Sequence, residues 1–271
     1  MFYNIILLIF CQIRAILGLK RGRFLILSAK GCNFVKEKFF YVHKIMEVVY
    51  EDNHIIIVNK AVGEIVQGDK TGDEPLVETL KRWLKEKYNK PGNVFCGVTH
   101  RIDRPVSGLV VFAKTSKGLS RMNELFREGK VKKTYWAITK NCPPKEEDTL
   151  THHITTTERN NKSRAWDTAK PDSSKAVLKY RVLAHSDNYH LLEINLLTGR
   201  KHQIRVQLSA IGCPIKGDLK YGAKRSNPDG GISLQSHRIQ FVHPVSGEQI
   251  DITAPLPDDN LWRALASAVA E

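Results

Sequence analysis

The sequence predicts an α+β fold with a mixed or mainly antiparallel sheet. Strand-like runs outnumber the helical segments, and many neighbouring runs are separated only by short turns. Strands and helices do not alternate regularly, as they would in a doubly wound fold. These observations favour one sheet built largely from hairpins, with helices packed against it.

The first half of the predicted domain contains a hairpin, two helices and a buried strand. Apolar residues at helical spacing from Leu76 to Tyr88, with Pro75 in the first turn, predict an amphipathic helix. Ser116 can cap a second helix, which ends at Gly129. The strand-like runs in this half are 48–50, 55–58 and 109–113.

The second half is richer in strands. Residues 141–174 are polar and typical of loops. Ile204, Leu208 and Ile211 fit one face of a helix that ends at Gly212. The predicted strands are 131–139, 176–184, 190–196, 239–242 and 249–253, and a terminal helix carries Leu261, Leu265 and Val269.

Composition and charge limit the class of protein. The chain has 271 residues, of which 42% are hydrophobic, so it can bury a sizeable core. This composition excludes a disordered chain, a collagen and a multi-span membrane protein. Lysine and arginine outnumber acidic residues by 42 to 28, and the net charge of +14 favours a polyanionic partner such as nucleic acid.

Residues 1–45 differ in character from the remainder. They carry half of the excess charge, +7, and their apolar run Ile5–Phe10 is far shorter than the roughly 20 residues that span a membrane. Regular strand and turn patterning starts at Met46. We therefore predict an extension over 1–45, translated from an upstream start or disordered, followed by one folded domain over 46–271.

The signatures of several other protein classes are missing from the sequence. It has no phosphate-binding loop, dinucleotide fingerprint, zinc-protease motif or nucleophile elbow. The five cysteines are scattered, which favours reduced thiols in a cytoplasmic protein over a disulfide framework. The ten histidines show no ligand spacing, so we expect no metal.

The most informative stretch runs from His100 to Leu109. It places Asp103 between Arg101 and Arg104, just before a predicted buried strand. Nearby cations favour the charged form of a carboxylate, so we expect Asp103 to be ionised. The alternative is a structural ion pair at a junction between loop and strand.

Two further stretches combine cations with groups suited to RNA. Residues 196–205 form a turn with three cations that opens a helix, and such a helix start suits a phosphate or a carboxylate. Lys132 to Trp136 alternates cations and aromatic side chains on a strand, as surfaces that stack bases do. The alternatives are a solvated helix start and an ordinary strand with Tyr135 and Trp136 on opposite faces.

These stretches belong to a longer series of motifs. The series is 100–109 with Ala113-Lys114, Lys133-Thr134-Tyr135, Thr198-Gly199-Arg200 with His202-Gln203-Ile204-Arg205, and Gly212-Cys213-Pro214-Ile215 with Gly217-Asp218 and Tyr221-Gly222. In content and order it resembles the RluA branch of the pseudouridine synthases, over most of 46–271. The resemblance implies a bent, mostly antiparallel mixed sheet with flanking helices and a central RNA-binding cleft. The implied activity is conversion of uridine in RNA to pseudouridine, without cofactor or metal.

The resemblance also implies roles for individual residues. Asp103 matches the catalytic aspartate, Tyr135 the tyrosine against the target base, and Arg205 the arginine that pairs with the aspartate. Asp103 would add to the base, add to C1′ or remove the 2′ proton, and the sequence leaves these alternatives open. Phosphate contacts would offset the cost of flipping the uridine out of its helix. The residues expected to bind RNA are His100, Arg101, Arg104, Lys133, Arg200, Lys201 and His202.

Several positions depart from the commoner family pattern, and we expect them beside the cleft, where they would bear on substrate choice. They are Ile102, Pro105-Val106, Lys201 and Gln207. Large-subunit ribosomal RNA is the favoured substrate by family frequency, and transfer RNA is the alternative. A non-catalytic RNA-binding protein of ribosome assembly is the alternative from another class. We expect a cytoplasmic monomer that binds RNA and no membrane.

Overall fold

A computed structural model describes residues 46–157 and 161–269. The predicted extension over 1–45 therefore lies outside the described residues. Within those ranges, none of the helices combines the length and the apolar character needed to cross a bilayer. Cys96, Cys142 and Cys213 are free thiols, as their scattered positions predict.

The described ranges form four α-helices and eleven strands. The helices are α1 (Leu76–Lys87), α2 (Ser116–Arg127), α3 (Gln203–Ala210) and α4 (Asn260–Ser267). The strands are β1 (Glu47–Glu51), β2 (Ile55–Lys60), β3 (Gly97–Val98), β4 (Ser107–Ala113), β5 (Lys132–Thr139), β6 (Glu147–Thr157), β7 (Lys162–Trp166), β8 (Ser174–His185), β9 (His190–Leu196), β10 (Leu234–Val242) and β11 (Gln249–Thr253).

All eleven strands belong to one sheet. Their order is β1-β2-β4-β10-β5-β9-β8-β6-β7, with β3 paired to β4 and β11 paired to β10. The pairing of β4 with β10 is parallel, and every other pair of described strands is antiparallel. The predicted α+β class with a mostly antiparallel mixed sheet is confirmed.

Strand β4 is buried on both faces, which explains its continuous apolar sequence. Val110 and Phe112 belong to the core that includes the buried face of α1. Leu109 and Val111 point the other way, into a second core that includes Met122 of α2. The loop that precedes β4 is therefore anchored to the most deeply packed part of the sheet.

Gly108 allows β4 and β10 to approach closely. It pairs with Ser236 in the parallel ladder, and its φ of +110° lies in the region that favours glycine. A Cβ at this position would lie 2.6 Å from the backbone nitrogen of Ser236 and closer still to its carbonyl oxygen. The junction between the two halves of the sheet thus requires a residue without a side chain.

The structure corrects several of the predicted elements. The polar segment 141–174 contains the hairpin β6–β7 instead of a long loop. The sequence did not predict β6 because most of its residues are polar, and only Leu150 and Ile154 of its buried residues are apolar. Strand β10 starts at Leu234, earlier than predicted. The residues that follow Leu234 are polar although they are buried, so they show no apolar strand pattern in the sequence. Thr115, and not Ser116, caps α2, and α4 ends at Ser267, before Val269.

We predict that Gly108→Ala destabilises the protein by several kcal/mol, because the methyl group would collide with the backbone of β10. Gly129→Ala is the matched control. Gly129 also has a positive φ, of +69°, but a Cβ there meets nothing within 4 Å, so we expect a cost of only about 1 kcal/mol. Urea unfolding of both variants measures the difference, and equal losses of stability would contradict the proposed collision.

Candidate active site

A cavity of about 240 Å³ opens where the loop before β4, the middle of β5 and the start of α3 meet. Apolar walls are provided by Ile102, Val106 and Leu234. Its polar lining consists of His100, Arg101, Asp103, Lys133, Tyr135, Arg200, His202, Gln203 and Arg205. Eight of the ten residues that the sequence analysis singles out as catalytic or RNA-binding therefore line one cavity; Arg104 and Lys201 do not.

Asp103 lies in a tight turn at the entrance to β4. Its carbonyl accepts a hydrogen bond from the Val106 amide at 3.0 Å. The buried Lys60 ammonium donates to the carbonyl of the next residue, Arg104, at 3.2 Å and so fixes the turn against the end of β2. The Asp103 side chain is 29% exposed, which leaves the carboxylate accessible from the cavity.

Arg205 of α3 binds the Asp103 carboxylate on one oxygen. Its Nη1 donates to Oδ2 at 2.9 Å. The other carboxylate oxygen, Oδ1, receives no hydrogen bond from any residue that the structure describes. Asp103 thus has one oxygen bound by a cation and one without a hydrogen-bond donor among the described residues.

Asp218 holds Arg205 in place from behind. Nε of Arg205 donates to Oδ2 of Asp218 at 2.7 Å, and Nη2 donates to Oδ1 at 2.9 Å. Burial acts to lower the pKa of Arg205, but Asp218 and then Asp103 outweigh it and raise that pKa. The sequence alone predicts no role for Asp218, although Gly217-Asp218 belongs to the motif series.

The cation that pairs with Asp103 is not the one nearest in sequence. Arg101 and Arg104 flank Asp103 and were expected to keep it ionised, yet the Arg104 guanidinium forms an ion pair with Asp73. Neighbouring residues of a turn point in different directions, so adjacency along the chain does not bring their side chains together. The contact between Asp103 and Arg205, which the resemblance implied, is present.

Strand β5 directs Lys133 and Tyr135 into the cavity, because residues two apart share a face. Trp136 lies on the opposite face and stacks on His237 with a ring separation of 3.7 Å. Burial, followed by the charge of Asp103, raises the pKa of Tyr135 to about 12. Tyr135 is therefore a neutral phenol near pH 7.

Gln203 organises the turn that carries the cations at the start of α3. Its Oε1 accepts hydrogen bonds from the Arg200 amide at 3.0 Å and from Thr198 Oγ1 at 2.8 Å. Its Nε2 donates to the Val177 carbonyl at 3.1 Å, which ties the turn to β8. Gln203 was quoted as part of a motif but given no role, since an amide that orders a turn leaves no distinctive signal in the sequence.

His202 lies between Asp103 and a buried tyrosine. Its Nε2 is 3.6 Å from Oδ2 of Asp103, and its Nδ1 is 2.7 Å from the Tyr221 hydroxyl. Burial lowers the pKa of His202 to about 4, although the charge of Asp103 acts to raise it. The imidazole is therefore neutral at pH 7.

The remaining predicted residues have other contacts. His100 lines the cavity, but its Nε2 accepts a hydrogen bond from the Val111 amide at 3.0 Å, which ties it to β4. Lys201 is exposed, and its carbonyl accepts a hydrogen bond from Ser163 Oγ at 2.8 Å.

The expectation that Gln207 lies beside the cleft is wrong. Its side chain is fully buried and donates to the backbone of β6, at Leu150.

Comparison with known proteins assigns this fold to one class of enzymes. The structure of human RNA pseudouridylate synthase domain containing 4 is similar to this fold, with a TM-score of 0.67 and 23% sequence identity. The similarity covers 83% of this chain and 93% of that one. The family described as RNA pseudouridylate synthase matches residues 54–210 of this chain.

Sequence relatives narrow the class to a family. YlyB of Bacillus subtilis, described as an uncharacterized RNA pseudouridine synthase, is 34% identical over 218 residues, which are 79% of this chain and 70% of that protein. Ribosomal large subunit pseudouridine synthase D of Zymomonas mobilis is 33% identical over 229 residues, with the same coverage. This chain belongs to the RluA family of RNA pseudouridine synthases, which are isomerases.

We predict that Asp218→Asn destabilises the protein more than Asp103→Asn does. Asp218 is 1% exposed and binds Arg205 twice, so its loss leaves a buried cation short of a partner and destabilises the protein by about 3 kcal/mol. Asp103 is the more exposed of the two carboxylates, so we expect less than about 1 kcal/mol for Asp103→Asn. Denaturant unfolding at pH 7 compares the variants, and a larger loss in Asp103→Asn would contradict this ranking.

Proposed function

We propose that this chain isomerises uridine to pseudouridine in large-subunit ribosomal RNA, with Asp103 as its catalytic residue. The observation that carries the proposal is the Asp103 carboxylate itself, which lines the cavity, is bound by Arg205 on Oδ2 and accepts no hydrogen bond on Oδ1 from the described residues. We further propose that the protein acts as a cytoplasmic monomer without a cofactor.

The reaction requires a reachable carboxylate oxygen. The bond between N1 of the base and C1′ breaks, the uracil turns, and a bond between C5 and C1′ forms. The proton on C5 leaves, and N1 gains one, so that the product is an isomer of the substrate. Addition of Asp103 to the base, addition to C1′ and removal of the 2′ proton all use an oxygen of its carboxylate, which the Arg205 guanidinium holds in place at 2.9 Å.

Tyr135 is suited to hold the base and less suited to remove a proton. Its ring faces the cavity from β5, where it can stack on the uracil. A phenol whose pKa is about 12 is almost entirely protonated at neutral pH. The proposed role of Tyr135 is therefore contact with the base, and not removal of the C5 proton.

The cations of the cavity are proposed to hold the extruded nucleotide. Arg101, Lys133 and Arg200 all line the cavity, and Arg101 and Arg200 are exposed. A uridine within a helix cannot reach Asp103, so it has to be flipped out, and contacts with neighbouring phosphates offset the cost of unstacking. Arg104 contributes less to this surface, because its guanidinium already forms an ion pair with Asp73.

The names of the relatives support ribosomal RNA as substrate. Ribosomal large subunit pseudouridine synthase D of Zymomonas mobilis is 33% identical to this chain, and Ribosomal large subunit pseudouridine synthase C of Vibrio cholerae is also 33% identical. Transfer RNA is the alternative that the experiment below separates.

We predict that the protein releases tritium from ribosomal RNA labelled at C5 of uridine, and that Asp103→Asn abolishes the release while it retains RNA binding. The variant keeps the shape of the side chain but loses the anionic oxygen. Asp187→Asn, at an exposed turn, is the charge-matched control and should match the wild type. Turnover near wild type in Asp103→Asn would refute the assignment, and release only from transfer RNA would replace the proposed substrate.

We also predict that Arg101→Ala weakens RNA binding several-fold and lowers the slope of log Kd against log salt by about 1, because one phosphate contact is lost. The control is Arg263→Ala on α4, which packs with Trp136 on the sheet face opposite Tyr135 and should leave binding unchanged. Fluorescence titration at several salt concentrations measures both quantities. An unchanged salt slope in Arg101→Ala would exclude a phosphate contact.

A further inference from the structure

A chain of hydrogen-bonding groups leads from the backbone of β7 to the carboxylate of Asp103. The Ser163 amide donates to the Tyr221 hydroxyl oxygen at 2.8 Å. That hydroxyl is 2.7 Å from Nδ1 of His202, and Nε2 of His202 is 3.6 Å from Oδ2 of Asp103. All of the groups between the backbone amide and the carboxylate are buried.

The hydrogen-bond partners of Tyr221 and His202 indicate where the hydroxyl hydrogen and the ring hydrogen lie. Because the Tyr221 oxygen already accepts from Ser163, its own hydrogen is available for Nδ1 of His202. Nε2 then carries the hydrogen of the neutral imidazole and directs it toward Asp103. The opposite tautomer would place a bare nitrogen lone pair opposite the carboxylate, which is electrostatically unfavourable.

His202 is held in an unusual backbone conformation to reach this position. It precedes α3 with a φ of +54°, in the left-handed region that a residue with a side chain rarely adopts. Such strain persists where the surrounding structure fixes it. The Tyr221 ring meets the imidazole edge-on, with ring centroids 5.7 Å apart, and also lies 5.0 Å from the guanidinium carbon of Arg205.

Tyr221 therefore contacts both of the side chains that face Oδ2 of Asp103. We propose that His202 is a positioning residue whose Nε2–H, set by Tyr221, is the second donor to Oδ2, so that Oδ1 is the reacting oxygen. This inference rests on the proposed function, since it assigns a role relative to Asp103. The distance of 3.6 Å is that of the protein without RNA, and catalytic hydrogen bonds commonly tighten when substrate is bound.

Burial favours the neutral imidazole that this arrangement needs, because it lowers the pKa of His202. Arg205, Lys220 and Lys201 all act to lower the pKa of His202, in the same direction as burial, and Asp103 opposes them. A protonated His202 would donate from both nitrogens and could not accept the hydrogen of Tyr221.

Nitrogen NMR of the protein without RNA tests the proton positions. The His202 signals are identified by their loss in His202→Gln. We expect the Nε2–H tautomer in the wild type and a change of the Nδ1 signal in Tyr221→Phe, where the donor to Nδ1 is missing. A wild-type protein with the proton on Nδ1 would overturn the inference, and this result does not depend on enzymatic activity.

Single-turnover kinetics on ribosomal RNA tests the positioning role. We expect His202→Ala and Tyr221→Phe to lower the rate constant at saturating RNA by about tenfold or more, with the half-saturating RNA concentration changed less than about twofold. His202→Gln, whose amide can donate, should recover part of the loss. Tyr221→Phe should lower the rate constant little further in the His202→Ala background, because the two side chains act through one contact.

Tyr180→Phe is the matched control. Tyr180 is also a buried tyrosine whose hydroxyl donates to a backbone carbonyl, that of Lys145 at 3.3 Å, and it does not line the cavity. We expect wild-type kinetics from it. If Asp103→Asn is inactive while His202→Ala and Tyr221→Phe turn over at the wild-type rate, this inference fails and the proposed function stands; turnover by Asp103→Asn would overturn the proposed function itself.

Discussion

The buried guanidinium of Arg205 is the constraint on which the rest of the site depends. A charge at that depth is costly unless it is paired, and Asp218 provides a partner with two hydrogen bonds. Only with that partner can Arg205 keep its third nitrogen on Asp103. The turn before β4, helix α3 and the segment after it must therefore pack together, although they are distant in sequence.

The sheet supplies the rigidity that this arrangement needs. β4 is packed on both faces, and Gly108 lets it approach β10 closely enough to form the parallel pairing of the sheet. The buried Lys60 ammonium ties the turn after Asp103 to the end of β2. A carboxylate in a flexible loop could not hold one oxygen on a cation while it presents the other to a substrate.

The cations of the chain divide by their contacts into those that can meet a substrate and those that stabilise the fold. Lys133 and Arg200 line the cavity, whereas Arg104 pairs with Asp73. His100 belongs to both groups, since it lines the cavity and also accepts a hydrogen bond from the Val111 amide. In a basic protein, net charge therefore predicts the kind of partner but not which side chains meet it.

The sequence by itself determined the fold class, the family and most of the residues of the cavity, because apolar periodicity and the order of motifs depend only on the order of residues along the chain. It did not reveal the hairpin β6–β7, because most residues of β6 are polar and the polar His152 occupies one of its buried positions. Nor did it reveal the roles of Asp218 and Tyr221, or that Arg104 is engaged elsewhere. Only the tertiary structure decided these contacts, since the choice of an ionic or hydrogen-bonding partner depends on which side chains are brought within about 3 Å in a buried site, and residues far apart in sequence meet there only after folding.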